Sequence, residues 1–167
     1  MTARRRVASP LGPLCVAAAD GQLVALGFGA PAAEPGRDDP LLREAERQLD
    51  AYFAHRLRHF DLPLRADGSS FRRAVWAAMR RIPYGQTRSY GEIAAELGGV
   101  ARAVGIACGA NPIAIVVPCH RVIGAGGRLV GYSGGKGIRT KSWLLVHEGW
   151  RPPRADPAQL ALFGQPS

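Results

Sequence analysis

A thiol and an imidazole stand side by side in Pro118-Cys119-His120-Arg121-Val122, directly after the apolar run 113–117. An unassisted cysteine has a pKa near ~8.5, so only a small fraction is thiolate at neutral pH, and a nucleophilic cysteine needs a base or a positive field. His120 and Arg121 are the residue types that supply both. The same pair also fits an inert buried cysteine beside a surface histidine, because adjacent side chains diverge unless the backbone bends or a water bridges them. Pro112 and Pro118 favour an irregular backbone on either side of the run. The three cysteines, Cys15, Cys108 and Cys119, are odd in number and show no C-x-x-C spacing. Neither a disulfide framework nor a structural zinc site is expected from them, and no metal or cofactor. His55, His59 and His147 fall at helix ends or among structural residues, and Gly134-Gly135-Lys136-Gly137 lacks the Walker pattern and reads as a flexible lid.

The elements that must position this thiol can be read from pattern. Leu14–Ala19 and Gln22–Phe28 flank Asp20-Gly21, a two-residue hairpin turn in which both positions favour φ > 0. Asp39-Pro40 is an N-cap and first helical residue, and Leu41, Leu42, Ala45, Leu49, Tyr52 and Phe53 recur at helical spacing to about Ala54. Residues 60–65 alternate like a strand, and Ala66-Asp67-Gly68 marks a boundary. Ser69-Ser70 caps a helix with Phe71, Val75, Met79 and Ile82 on one face and Arg72, Arg73, Arg80 and Arg81 off it. Ser89-Tyr90-Gly91-Glu92 has the S-x-x-E form of a capping box, and after the Gly98-Gly99 break residues 100–109 form a helix of small side chains. Helix, glycine turn, helix is a helix-turn-helix signal. The run 113–117 suits a buried strand, and residues 138–148 a final helix with Gly149 just beyond it.

The expected fold class is therefore α/β (α+β): domain 1–67 with an antiparallel sheet and a helix, domain 68–150 mostly helical with the helix-turn-helix and active-site strand, and an extended tail 151–167. Hydrophobic residues make up 47% and charged residues 21% of the 167, a globular profile. No apolar run is long enough to span a bilayer, and the apolar stretch after Arg4-Arg5-Arg6 is cut at Ser9-Pro10, so the chain reads as cytoplasmic, without membrane or signal segment. The net charge is +9, unevenly placed: residues 1–67 hold nine basic and nine acidic side chains, residues 68–155 thirteen and three. That segregation points to a polyanion partner for the second half.

Ordered motifs sharpen this. Asn111-Pro-Ile-Ala-Ile-Val-Val-Pro-Cys-His-Arg-Val-Ile-Gly, Ile82-Pro-Tyr-Gly-Gln-Thr-Arg-Ser-Tyr-Gly-Glu-Ile-Ala, Ala101-Arg-Ala-Val-Gly, Gly131-Tyr-Ser-Gly-Gly and Trp143-Leu-Leu-Val-His-Glu-Gly together resemble the O6-methylguanine-DNA methyltransferase family in its bacterial stand-alone form. The resemblance covers nearly the whole chain and implies a ribonuclease H-like N-terminal domain. It implies a methylated-DNA–protein-cysteine methyltransferase that moves the alkyl group of O6-alkylguanine, and by extension O4-alkylthymine, irreversibly onto its own cysteine, with double-stranded DNA as partner and a monomer in solution. By the same resemblance Cys119 corresponds to the alkyl acceptor, His120 to a base acting through a water, and Glu148 to the carboxylate orienting it. Asn111 corresponds to the hinge tying the recognition helix to the active-site segment, and Tyr90 to a phenol that donates to the base. Tyr132, Ser133 and Gly134 match the loop closing over a flipped base, Pro118 and Val122 line it, and Arg102 matches the residue that fills the vacated stack. Three features depart from the pattern: a Gly98-Gly99 turn about two residues short, a loop before Trp143 about two residues long, and Cys108, which is either a second pocket thiol or a packed small residue. In the tail, Gln159-Leu-Ala-Leu-Phe163 looks like a sliding-clamp docking peptide, or else a segment that folds on the protein's own surface.

Overall fold

The computed structural model describes residues 2–29 and 37–152. Compact packing divides them into two units, one from the chain up to Asp67 together with Pro112–Val116, the other from Gly68–Asn111 and from Val117 onward. The segment Pro112–Val116, expected in the C-terminal domain, thus clusters with the first unit, because its backbone bonds to that unit's sheet.

The first unit is a three-stranded antiparallel sheet in the order β1-β2-β3, with β1 at Ala3–Val7, β2 at Leu14–Ala19 and β3 at Gln22–Phe28, and one helix, α1, at Pro40–Phe53. The β2–β3 turn has both residues at positive φ, Asp20 at 51° and Gly21 at 72°, the geometry whose twist matches the strands it joins. α1 begins where Asp39 Oδ1 accepts from the backbone N–H of Leu41 (2.8 Å) and Leu42 (3.4 Å), satisfying donors the helix cannot. Leu42, Ala45, Leu49 and Tyr52, at helical spacing, are all buried with Leu14, Val16, Leu23 and Leu26. Burying each large side chain contributes about 1.5–3 kcal/mol. Gln48, almost fully buried on that helix, is satisfied by Asp61, to which its amide donates (2.9 Å) and from whose N–H it accepts (2.9 Å).

Two expectations are corrected here. Residues 60–65 and 113–117 do not form strands; each makes one isolated parallel bridge, Leu64 to Leu23 and Ile113 to Leu26. Pro112 and Pro118 lack the N–H groups a ladder needs, Ile115 takes φ 70°, and Val116 N–H folds back to Ala114 O (2.8 Å). Conversely β1 was not anticipated from pattern, since three successive arginines hide its alternation.

The second unit holds α2 (Ser70–Arg80), β4 (Arg88–Ser89), α3 (Tyr90–Leu97), α4 (Ala101–Gly109), β5 (Val122–Ile123) and α5 (Ile138–His147). Ser69 caps α2 by accepting from Arg72 N–H (3.2 Å), and Ser89 caps α3 through Glu92 N–H (3.0 Å). α2 turns Val75, Trp76, Ala78 and Met79 inward, and Trp76 Nε1 donates to Ala107 O of α4 (2.8 Å). Gly98 ends α3 at φ 71°, and a side chain on Gly99 would meet the Phe71 ring at 3.0 Å. β4 and β5 pair in parallel, Arg88 with Val122 and Ser89 with Ile123, bringing Tyr90 beside the residues after Cys119. No described helix is long and apolar enough to cross a membrane.

Candidate active site

Cys119 starts a short 3₁₀ turn, Cys119–Arg121, rather than extending a strand. Pro118 precedes it at φ −84°, ψ 69°, and Cys119 N–H bonds to Val117 O (2.9 Å), so the backbone bends at the thiol and does not run on extended. Cys119 is 8% exposed, His120 0%, Arg121 6% and Glu148 4%. Val122 and Pro118, on either side, are also buried.

His120 and Glu148 meet, with Nε2 and Oε2 2.9 Å apart. Glu148 also accepts two parallel bonds from Arg121, Nε to Oε1 (2.8 Å) and Nη2 to Oε2 (3.0 Å), while Arg121 Nη1 donates to Ile82 O (2.7 Å). The Arg121 guanidinium lies 5.8 Å from the Tyr84 ring centre. Arg121 is thus directed at the carboxylate, not at the thiol. Burial alone would raise the Glu148 carboxyl; hydrogen bonds from His120 and Arg121 and the nearby positive charge outweigh it, and the group is held well below the usual carboxylate range. Burial pushes His120 down, and the attraction of Glu148 does not reverse this, so the imidazole is neutral near pH 7. With Nε2–H donated to Glu148, the other ring nitrogen is a lone-pair acceptor. That atom, Nδ1, is buried and has no hydrogen-bond partner among the described residues.

Burial raises the Cys119 thiol, opposed by a hydrogen bond from Asn111 and by the charge of Lys141. Asn111 also donates through Nδ2 to Val117 O (2.8 Å), joining the end of α4 to the turn that carries Cys119. Tyr90, from α3, donates to Val130 O (3.0 Å), and its phenol is raised by burial first and then by the two thiols. Cys108 packs from α4 with its sulfur 3.5 Å from Met79 Sδ; burial lifts its pKa to about 12. Tyr132, raised by burial, is half-buried, and the flanking Ser133 is exposed and Gly134 intermediate. Arg102 is exposed on α4.

Lys141 is the functional residue that pattern reading passed over. Its side chain is fully buried, and Nζ reaches Val122 O (2.5 Å), Val130 O (3.1 Å), Gly131 O (3.3 Å) and the Tyr90 hydroxyl (3.2 Å). Burial lowers its pKa to about 8, with the thiols Cys119 and Cys108 acting the other way. A signal existed: Lys141 sits three residues after Ile138 and four before Leu145, on the apolar stripe of α5. Among the described residues, no cluster of three His, Cys, Asp or Glu side chains could hold a metal.

Fold and site define a helix-turn-helix protein in which a buried thiol is followed in the chain by a neutral, carboxylate-oriented imidazole. Residues 4–66 match the ribonuclease-like domain of 6-O-methylguanine DNA methyltransferase, and residues 70–150 match its DNA binding domain. The methylated-DNA–protein-cysteine methyltransferase of Mycolicibacterium paratuberculosis is 51% identical over 166 residues, spanning 95% of this chain and 97% of that protein. The crystal structure of Mycobacterium tuberculosis O6-methylguanine methyltransferase superposes with a TM-score of 0.79 at 45% identity, covering 96% of this chain and 99% of that one. A structure of the Mycobacterium tuberculosis protein in complex with DNA superposes with a TM-score of 0.78 at 46% identity, covering 96% and 98%. The chain belongs to the O6-methylguanine-DNA methyltransferase family.

Proposed function

We propose that this chain repairs O6-alkylguanine in duplex DNA by transferring the alkyl group to Cys119. The observation that carries the reading is the buried Nδ1 of His120, without a partner among the described residues, on a ring whose other nitrogen is committed to Glu148. A thiol raised by burial does not ionise unaided at neutral pH, and an acceptor nitrogen beside it, through one water, is what it requires. The proton goes to His120; the sulfur forms a bond to the alkyl carbon; the carbon–O6 bond breaks, and its electron pair leaves on guanine. The Tyr90 hydroxyl, on exchanging Val130 O for the extruded base, donates to the leaving group, and Lys141 adds positive charge where the thiolate forms. The product is a thioether with no easy leaving group, so each molecule acts once and needs no cofactor.

The alkyl carbon is out of reach of in-line attack within stacked DNA, so the target nucleotide must be extruded. Residues 101–109 supply small side chains suited to close approach in a minor groove, and exposed Arg102 is the residue to occupy the vacated stack. Tyr132, Ser133 and Gly134 close over the extruded base. The same chemistry extends to O4-alkylthymine. The protein acts as a cytoplasmic monomer. The docking peptide expected at Gln159–Phe163 lies outside the described residues.

Intact-mass measurement after incubation with O6-methylguanine duplex, followed by peptide mapping, tests the assignment. One methyl-for-hydrogen increment on the Cys119 peptide is expected, and Cys119→Ala should bind alkylated duplex without removing the group. Stoichiometric removal by that variant would refute the assignment.

A further inference from the structure

α4 turns Val104, Ala107 and Cys108 inward, and Trp76 Nε1 fixes that side by donating to Ala107 O (2.8 Å). Its exposed positions are Ala101, Arg102, Ile106 and Gly109. Among the described residues three large apolar side chains are exposed: Val100 (65%), Ile106 (56%) and Val130 (40%). Two of the three bracket Arg102, Val100 as the residue that caps α4 and Ile106 one helical turn beyond the arginine. Exposed apolar side chains scattered singly over a surface are ordinary. Two of them on one short helix, either side of an exposed guanidinium, are not scattered. Isoleucine is also a weaker helix former than the alanines around it, and at this position little burial against its own chain offsets that.

The small side chains of α4 suit close approach to a minor groove, and Ile106 is the exception among them. Four residues of helix rise about 6 Å, less than two base-pair steps of about 3.4 Å. A helix that places Arg102 in the vacated stack therefore holds Ile106 against the floor of the groove within about two pairs of it. That floor differs between base pairs in one group. An A·T pair shows only acceptors there; a G·C pair adds the guanine N2 amino donor. The Ile106 side chain covers the first without loss. Over the second it strips water from the amino group and offers no acceptor in exchange. Arg102 supplies donors alone, and Glu92 and Glu96 of the preceding helix are engaged by Arg88 and Arg81.

We propose that Ile106 makes repair by this chain depend on the neighbouring base pairs: O6-alkylguanine between A·T pairs reacts faster than the same lesion between G·C pairs, because of the N2 amino groups that Ile106 covers. The inference rests on the DNA-repair reading and names a specificity of its DNA-facing helix.

The test is single-turnover methyl transfer from duplexes that differ only in the two pairs on each side of the lesion: A·T, G·C, inosine·C and 2-aminoadenine·T. Inosine·C is a G·C pair without the amino group, and 2-aminoadenine·T is an A·T pair that carries it. The amino group also strengthens pairing, which slows extrusion of the base for any protein, so each rate ratio is compared between the full chain and Ile106→Ala. Ile106 is exposed, and its truncation leaves the core of the unit intact. The ratio of rates without and with the amino group should be about tenfold larger for the full chain than for the variant, within what one unsatisfied buried donor costs. Equal ratios in the two proteins overturn the proposal, since the difference then lies in the duplexes. A preference that follows G·C but neither disappears with inosine nor arises with 2-aminoadenine overturns it as well, because recognition then lies outside the amino group. No transfer from any duplex by the full chain would strike at the repair reading itself and take the inference with it, a case that the mass measurement on the Cys119 peptide separates from the other two.

Discussion

Replacing Lys141 by methionine removes a buried charge while keeping an unbranched side chain of similar length. In the native protein the ammonium has left water for four oxygen partners, and its pKa has moved from the ordinary 10.5 to about 8. The interval between those values corresponds to roughly 3 kcal/mol of unfavourable interaction with the charged form at neutral pH. Below pH 8 both folded and unfolded chains carry the proton, so this contribution does not vary. Between about pH 8 and 10.5 the folded chain has released the proton and the unfolded chain still holds it, so stability from this group rises with pH. Cys119, Cys108 and Tyr90 are raised by burial and act in the opposite sense at alkaline pH, since the folded state keeps their protons longer. The informative quantity is therefore the difference between the unsubstituted chain and Lys141→Met, measured by urea unfolding at intervals from pH 7 to 10.5. That difference should climb by roughly 3 kcal/mol across the window in favour of the lysine form. A flat difference would refute the placement of a charged amine in this interior. Alkyl transfer by the variant should slow as well, because the positive charge that opposes the raised Cys119 pKa is gone.

Glu148→Gln should reduce the alkyl-transfer rate by about 10²–10⁴-fold, through loss of the partner that sets the His120 tautomer, and should lower stability by about 3–5 kcal/mol, because Arg121 is left buried without its carboxylate. A stability loss with an unchanged rate in stopped-flow transfer assays would reduce Glu148 to a structural role. Arg102→Ala should slow repair of duplex DNA far more than reaction with free O6-benzylguanine; equal losses would argue against a role in extrusion. Gly98→Ala should cost about 1 kcal/mol or somewhat more in urea unfolding, since the residue sits at φ 71° with open space around it and only the backbone resists a side chain.

Local rules were enough for much of this molecule. Asp20-Gly21, Asp39, Ser69, Ser89, Gly98 and Gly149 each mark a turn or helix end through a preference that acts within a few residues, and the structure places turns and caps there. Cys119, His120, Glu148, Asn111 and Tyr90 could be named because five motifs occur in order, although 27 residues separate the histidine from the glutamate by the numbering. Tertiary structure decided what those rules cannot reach. The run between Pro112 and Pro118 is apolar enough for a strand, yet neighbours and missing N–H groups leave it one bridge and a turn. Arg121 could have faced the thiol beside it; a buried carboxylate from the end of α5 drew it away, because an unpaired charge there is far more costly than a rotated side chain. Lys141 stands on the apolar stripe of α5, but only packing shows its amine buried against Val122 O, Val130 O and the Tyr90 hydroxyl. Hydrophobic spacing and turn preference are short-range and survive in one dimension; desolvation and charge pairing depend on which distant atoms arrive at the same place, and that is settled only when the chain is folded.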